Sequence, residues 1–328
     1  MSSKVSDSVD VLMATYNGRK YVQDQIRSIQ AQTFHNWRLL VSDDGSSDGT
    51  QKIIDYEIGR DSRISWSPSS NTQKGSYNNF MYLLGCSDAD YSMFCDQDDV
   101  WYPDKIEVTL SKMKGLERKY PDSPVMIFTD LEVVDENLNT LSPSFDSLVG
   151  INPDRCGLKD LLINPVAPGC TIMINRKLRE LVNRFQNTGG VEVHDWWVSL
   201  IAATVGHIGY VAQATSKYRQ HQDNQIGATK TTLLRSLITT SFESARESIC
   251  NSMRRANECY KSLGAEMSSE DYKSLRAYLS IPNEKWYRRV FLLTKAGIWK
   301  RGALRKAGQA IVTVVMTFPQ DLRRNPLE

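Results

Sequence analysis

Three apolar runs in the N-terminal third, Val9–Ala14, Trp37–Ser42 and Tyr91–Cys95, each stop abruptly in a polar cluster. The clusters are Thr15-Tyr16-Asn17-Gly18, then Asp43-Asp44-Gly45-Ser46-Ser47-Asp48-Gly49-Thr50, then Asp96-Gln97-Asp98-Asp99. Short apolar runs bounded by turn residues read as buried strands. Segments with helical spacing lie between them: Tyr21–Ala31 (Val22, Ile26, Ile29), Thr50–Gly59 and Gly75–Gly85. Further strands are predicted at Ile64–Ser67, Val125–Leu131 and His207–Val211, and further helices at Lys105–Tyr120 and His194–Val205. Strand alternating with helix at short intervals predicts an α/β fold, a doubly wound, mostly parallel sheet with helices on both faces. In such sheets ligands bind beyond the carboxyl ends of the strands. The three polar clusters all follow strands, so they are expected on one edge of the sheet.

Composition narrows the class. With 328 residues, 41% hydrophobic and 24% charged, the chain is long enough for a sizeable core. The overall charge of +2 argues against a uniformly basic nucleic-acid surface, but it hides an asymmetry. From Lys285 to Glu328 ten Lys or Arg face two acids, a local +8 that leaves −6 on the rest. The six cysteines (86, 95, 156, 170, 250, 259) form no C-x-x-C pair, and Met1–Asp10 lacks the apolar core of a secretory signal. Both features predict a cytoplasmic protein with reduced thiols. The apolar stretch at Ala310–Phe318 is far too short to span a bilayer. No G-x-G-x-x-G follows the first strand, and no G-x-x-x-x-G-K-[ST] occurs, which removes support for dinucleotide binding and P-loop chemistry.

Asp96-x-Asp98-Asp99 carries the sharpest chemistry. In an extended segment residues i and i+2 face the same way, so Asp96 and Asp98 can address one ligand. Close carboxylates repel unless a cation sits among them, and a hard divalent ion such as Mg²⁺ or Mn²⁺ suits an oxygen cluster beside a phosphate. The competing reading is an acidic turn that caps the next helix. Asp43-Asp44 is open to the same two readings, cap or acceptor of hydrogen bonds from a base or ribose. Tyr16 can stack on a flat ring or pack in the core. Lys74 and Asn78-Asn79 lie where a donor-side role competes with solvated loop and helix cap.

These motifs closely resemble family 2 glycosyltransferases of the GT-A fold, especially bacterial rhamnosyltransferase-like enzymes of surface polysaccharide synthesis. The resemblance rests on Val11-Leu12-Met13-Ala14-Thr15-Tyr16-Asn17-Gly18, Gln32-Thr33-Phe34, the Val41–Thr50 segment and Asp96-Gln97-Asp98-Asp99-Val100-Trp101-Tyr102-Pro103-Asp104-Lys105-Ile106. It continues through Gly169-Cys170-Thr171, His194-Asp195-Trp196-Trp197 and Tyr218-Arg219-Gln220-His221-Gln222-Asp223-Asn224. It implies a GT-A catalytic domain over 1–228, with a nucleotide-sugar half at about 1–130 and an acceptor half at about 131–228. A basic amphipathic helical region follows over 229–328.

By the same resemblance Ala14, Thr15, Tyr16, Asn17, Asp43, Asp44, Asp96 and Arg219 contact the donor. Asp96, Asp98, Asp99 and His221 are the metal candidates, and Asp195 is the catalytic base. Trp101, Gly169, Cys170, His194, Trp196 and Trp197 are the acceptor-side candidates, with core packing the rival role for at least one Trp and helix capping the rival for Asp195. Many members have Glu-Asp where this chain has His194-Asp195.

The implied reaction is metal-dependent, inverting transfer of a sugar from a nucleoside diphosphate to a hydroxyl of a growing surface polysaccharide or lipid-linked saccharide. dTDP-L-rhamnose is the first choice of donor, and a UDP-hexose or UDP-N-acetylhexosamine is the second. A sugar-nucleotide nucleotidyltransferase and a non-catalytic carbohydrate-binding protein are the rival classes. The former needs a Gly-rich basic loop, of which Thr15–Lys20 is a poor version. The aromatic, basic stretch Trp286–Phe318 predicts peripheral contact with the inner face of the cytoplasmic membrane, against a homo-oligomer interface or a helical cap; no nucleic acid is expected.

Overall fold

The structure is a computed structural model that describes residues 7–68, 74–185, 187, 189–221 and 241–323. The first half alternates as the apolar runs demand. It comprises β1 (Val9–Thr15), α1 (Val22–Gln30), β2 (Trp37–Asp43), α2 (Thr50–Ile58), β3 (Ile64–Trp66), α3 (Ser76–Cys86), β4 (Tyr91–Cys95), β5 (Val100–Trp101) and α4 (Lys105–Lys119). Then come β6 (Val125–Val134), β7 (Thr140–Ser142), α5 (Phe145–Val149), α6 (Leu158–Leu161), β8 (Met173–Asn175), α7 (Arg176–Arg184), α8 (His194–Val205) and β9 (His207–Arg219). The C-terminal helices are α9 (Phe242–Leu263), α10 (Ser269–Ser280), α11 (Trp286–Ala296), α12 (Ala303–Val315) and α13 (Gln320–Arg323).

The strands form one sheet in the order β3-β2-β1-β4-β8-β6-β9-β5, with β7 on β6. The half β3-β2-β1-β4 is parallel, as expected. The second half is mixed: β8 runs antiparallel to both β4 and β6, whereas β6 and β9 are parallel. β1, β2, β4, β6 and β9 therefore all point one way, and their carboxyl ends share an edge. Because β8 is reversed, its beginning lies at that edge, which brings in the short 3-10 turn Gly169–Thr171 that precedes it.

Side chains alternate across the sheet. Leu12, Leu40, Phe94, Met126, Phe128 and Ile174 feed one core, which α8 and α9–α13 also cover. Val11, Met13, Leu39, Val41, Met93 and Ile127 feed the other, under α1, α2 and α4. The C-terminal helices share their hydrophobic cluster with α8, so they are packed onto the sheet-bearing part. The 228 boundary falls outside the described residues. β9 extends well past the predicted Val211. Its second half carries the buried polar residues Thr215 and Ser216, which broke the apolar signal.

Candidate active site

β1 and β2 are in register at Thr15↔Asp43, and β1 and β4 at Met13↔Cys95, so the three polar clusters emerge side by side. Asp43 organises the loop that leaves β2. Its carboxylate accepts hydrogen bonds from the hydroxyls of Thr15 and Ser46, the backbone N–H groups of Gly45 and Ser46, and the Gln51 amide. Burial opposes ionisation, but the bonds from Ser46, Gln51 and Thr15 outweigh it and hold Asp43 below its ordinary value. A carboxylate so engaged braces the loop. Thr15, also buried, belongs to the same brace.

Asp44 is half-buried and accepts one bond, from the Gly75 N–H. Lys74 donates to the Asp44 carbonyl, which ties the start of α3 to this loop. Asn17 sits at φ +49° and exchanges bonds with Ser46 and Ser47. Tyr16 is 59% exposed beside half-buried Ala14, its ring free to stack. Gln97 fixes it: the Gln97 amide accepts from the Tyr16 N–H (3.0 Å) and donates to the Tyr16 carbonyl (2.9 Å). Sequence reasoning quoted Gln97 inside the acidic motif but gave it no role.

The acidic turn is electrostatically strained. Burial, then Asp98, then Asp195 push the Asp96 carboxyl up to about 7. Asp99, fully buried, is pushed well above the carboxylate range by burial and by Asp98 and Asp96. Its Oδ1 accepts from the Arg219 N–H, and its Oδ2 has no hydrogen-bond partner. Donor atoms of Asp96, Asp99 and Cys170 lie within 4.8 Å of one another. His221 Nε2 is 2.8 Å from Asp98 Oδ2. Oxygen-rich, with an imidazole alongside, this set fits a hard divalent cation better than a soft one. Cys170 is 1% exposed, and burial raises its thiol so that it stays protonated; it backs the acidic turn and does not face an acceptor.

Lys105 is a second residue that sequence reasoning left without a role. Its ammonium is completely buried, 3.2 Å from the Thr215 hydroxyl and 3.3 Å from that of Ser216, and over the Trp101 ring. Burial lowers its pKa, while Asp99 and Asp96 are among the groups that raise it. A cation in the first turn of a helix opposes the helix dipole, and this misplacement was the available sign that Lys105 faces inward.

Arg219 is 3% exposed. Its guanidinium donates to the Asp98 carbonyl (2.9 Å), the Glu136 carbonyl (2.7 Å) and the Asp24 carboxylate (3.2 Å). It therefore ties the acidic turn to the loop after β6 and to α1. Gln222, Asp223 and Asn224 of the same motif lie outside the described residues.

On the acceptor side, Asp195 occupies the first turn of α8, where a carboxylate is favoured. Burial pushes it up to about 6, against hydrogen bonds from the backbone of Trp196 and Gly169. It accepts from the N–H of its neighbour Trp196 at 2.6 Å, while Val193 is the N-cap and no side chain caps the helix start. A Cβ on Gly169 would lie 2.8 Å from His194 Nε2 and 3.5 Å from Asp195 Cβ, so only glycine lets the turn close over the helix start.

The remaining acceptor-side expectations are corrected. His194 is buried, stacked on Phe80 and edge-on to Phe94, and burial lowers it to about 3, so it is neutral. Trp101 and Trp197 are core residues at 3% and 0% exposure. Trp196 donates to the Leu161 carbonyl, and the Arg255 guanidinium lies 3.5 Å from its ring centre.

Comparisons with known proteins agree with this architecture. Residues 10–181 match the family model described as glycosyl transferase family 2. A curated relative, the dTDP-rhamnosyl transferase RfbG of Shigella flexneri, is 29% identical over 226 residues, spanning 66% of this chain and 74% of that protein. The UDP-Glc:alpha-D-GlcNAc-diphosphoundecaprenol beta-1,3-glucosyltransferase WfgD of Escherichia coli is 29% identical over 174 residues, 52% of this chain and 61% of that protein. Among solved structures, S. aureus TarS 1-349 in complex with UDP superposes with a TM-score of 0.50 at 13% identity, covering 93% of this chain and 90% of that one. That likeness shows the GT-A fold.

Proposed function

The chain belongs to glycosyl transferase family 2 and is a glycosyltransferase that uses nucleotide-sugar donors, and we propose that it moves L-rhamnose from dTDP-L-rhamnose, with inversion, to a hydroxyl of a growing surface polysaccharide or lipid-linked saccharide. One observation carries this reading: Asp195 lies close enough to the acidic turn for its charge to raise Asp96, so a base and a cation site share one sheet edge. The relative named for dTDP-rhamnose supports the donor. A UDP-hexose or UDP-N-acetylhexosamine is the second reading, favoured by the relative named for UDP-Glc. A lipid-linked acceptor would bring the reaction to the inner face of the cytoplasmic membrane.

The roles follow from the chemistry of each group. Exposed Tyr16, held by Gln97, stacks on the nucleobase, and Asp44 accepts from its ring N–H. Asp96, Asp98, Asp99 and His221 would hold a Mn²⁺ or Mg²⁺ ion, which would neutralise charge on the departing diphosphate. The acceptor hydroxyl is a poor nucleophile at neutral pH. Asp195 takes its proton as the oxygen attacks the anomeric carbon from the side opposite the leaving group. The carbon is oxocarbenium-like at that point, as in glycoside hydrolysis.

A melting-temperature screen of nucleoside diphosphates and nucleotide sugars, with and without Mn²⁺, tests the reading, since ligands of the native state raise the midpoint. dTDP with Mn²⁺ should give the largest rise. Asp98→Ala should abolish the metal-dependent part and lower turnover about 100-fold, on the several kcal/mol a metal supplies to such a transition state. Turnover indifferent to chelation would overturn the metal assignment, and a larger rise with UDP would pass the donor to the second reading.

A further inference from the structure

Of the large hydrophobic side chains that are exposed among the described residues, most lie on two consecutive helices. On α11 these are Trp286, Tyr287, Val290 and Phe291, spaced so that 286/290 and 287/291 form two adjoining stripes. On α12 they are Leu304 (91% exposed), Ile311 and Val315, again one stripe. The opposite sides are spoken for. Leu292, Leu293 and Ala296 of α11 and Val312 of α12 enter the shared core. Arg289 pins the two helices together by donating to the carbonyls of Thr313, Val314 and Met316. The outer stripes are thus held on a fixed support.

The charge around them is mostly of one sign, with Glu284 paired to Arg288 at 3.0 Å just before the stretch. No acid occurs from Lys285 to Gln320, while eight Lys or Arg do. Lys285, Arg288, Lys295, Arg305 and Lys306 are exposed. We propose that α11 and α12 form a docking face for an anionic lipid surface, with Trp286, Phe291 and Leu304 inserted at headgroup depth and the flanking Lys and Arg paired with lipid phosphate. Three features favour this occupant. Aromatic and aliphatic side chains beside basic ones are the composition of an interfacial helix. A second copy docked face to face would bring two sets of like charges together, with Glu284 already engaged by Arg288 of its own chain. Leu304, Ile311 and Val315 have no flat ring for stacking on bases, which sets RNA aside.

Flotation of the full chain with vesicles tests this without donor or acceptor, so its outcome is separate from that of the sugar-transfer reading. The chain should float with phosphatidylglycerol–phosphatidylcholine vesicles and stay behind with phosphatidylcholine alone, and high salt should release it. Trp286→Ser combined with Phe291→Ser should lower partitioning at least tenfold. Arg288→Gln combined with Lys295→Gln should lower it about fivefold for each charge removed. All four positions are solvent-exposed or on the outer stripes, so melting curves should match the parent, and transfer to a water-soluble acceptor should persist. Equal binding to neutral vesicles, binding unchanged in both variants, tighter retention by RNA, or a concentration-dependent dimer that the same variants dissolve would each overturn the proposal.

Discussion

The sheet edge and the α11–α12 face concentrate charge in opposite ways. At the edge, Asp99 is buried and Asp96 and Asp195 are half-buried, and desolvation raises all three. On the helices, Lys285, Arg288, Lys295, Arg305 and Lys306 stay in water, with no acid on the same stretch. A buried like-charged cluster lowers stability until a cation or a proton relieves it, whereas an exposed one costs little and acts through its long-range field. The edge is therefore built for chemistry on a small ligand. The helices are built for attraction to a large charged surface.

The largest effect should come from the edge. Asp195→Asn removes the proposed base, and general-base catalysis contributes about 10²–10⁴-fold, so kcat should fall about 1000-fold. Stability should move the other way. The Asp195 carboxyl sits at about 6 in the native state, above its ordinary value of 3.8, so the native state binds more protons in that window. Stability therefore falls as pH rises through it, and at pH 7 the charged form is a cost that Asn lacks. The variant should lose turnover while its melting temperature at pH 7 holds or rises. A fall in both would make Asp195 a structural cap and break the comparison.

Lys105 sharpens the contrast, because its ammonium is a cation buried among the acids of the edge. Lys105→Met takes away a buried cation that offsets Asp99 and Asp96, and removing one partner of a buried charge set typically costs about 3–5 kcal/mol. Urea unfolding should register a loss of about that size near pH 7, smaller at pH 5, where Asp96 takes up a proton. A loss below about 1 kcal/mol at both pH values would mean that the acids are already protonated in the native state. By comparison, an exposed cation such as Lys295 should be worth next to nothing to stability.

How legible each region was follows from the same physics. β1, β2 and β4 stood out because buried parallel strands are continuous apolar runs that stop at polar loops. β8, only three residues long and reversed, gave no such run. β9 was cut short because Thr215 and Ser216 face the Lys105 ammonium instead of the core. Core packing, the rival role weighed for at least one of the Trp pair, holds for Trp197. Aromatic residues next to a functional motif suggest a ligand platform, but Trp197 repeats with Leu200 and Ile201 on the buried side of α8. Asp43 and Arg219 are expected as donor contacts, and the fold also engages their polar atoms in its own loops. Nothing local in the sequence reveals which polar atoms a fold has already used.

The smallest effect is a slope, and it separates the two raised carboxyls of the edge. The proposed base must be ionised, so kcat/KM should fall tenfold for each pH unit below about 6 if Asp195 sets the limb. Asp96, at about 7, would impose a limb one unit higher. The two differ in what relieves them. Asp96 is raised after burial by Asp98, beside which a cation is proposed to sit, and a nearby positive charge favours its ionised form. Its limb should move to lower pH as Mn²⁺ is increased. Asp195 is raised chiefly by burial, with the acidic turn a smaller influence, and its limb should hold its position once Mn²⁺ saturates. Rates measured from pH 5 to 8 at several Mn²⁺ concentrations should therefore converge on one limb near 6. A limb that keeps moving with Mn²⁺ would assign the titration to the acidic turn and leave Asp195 without kinetic support as the base.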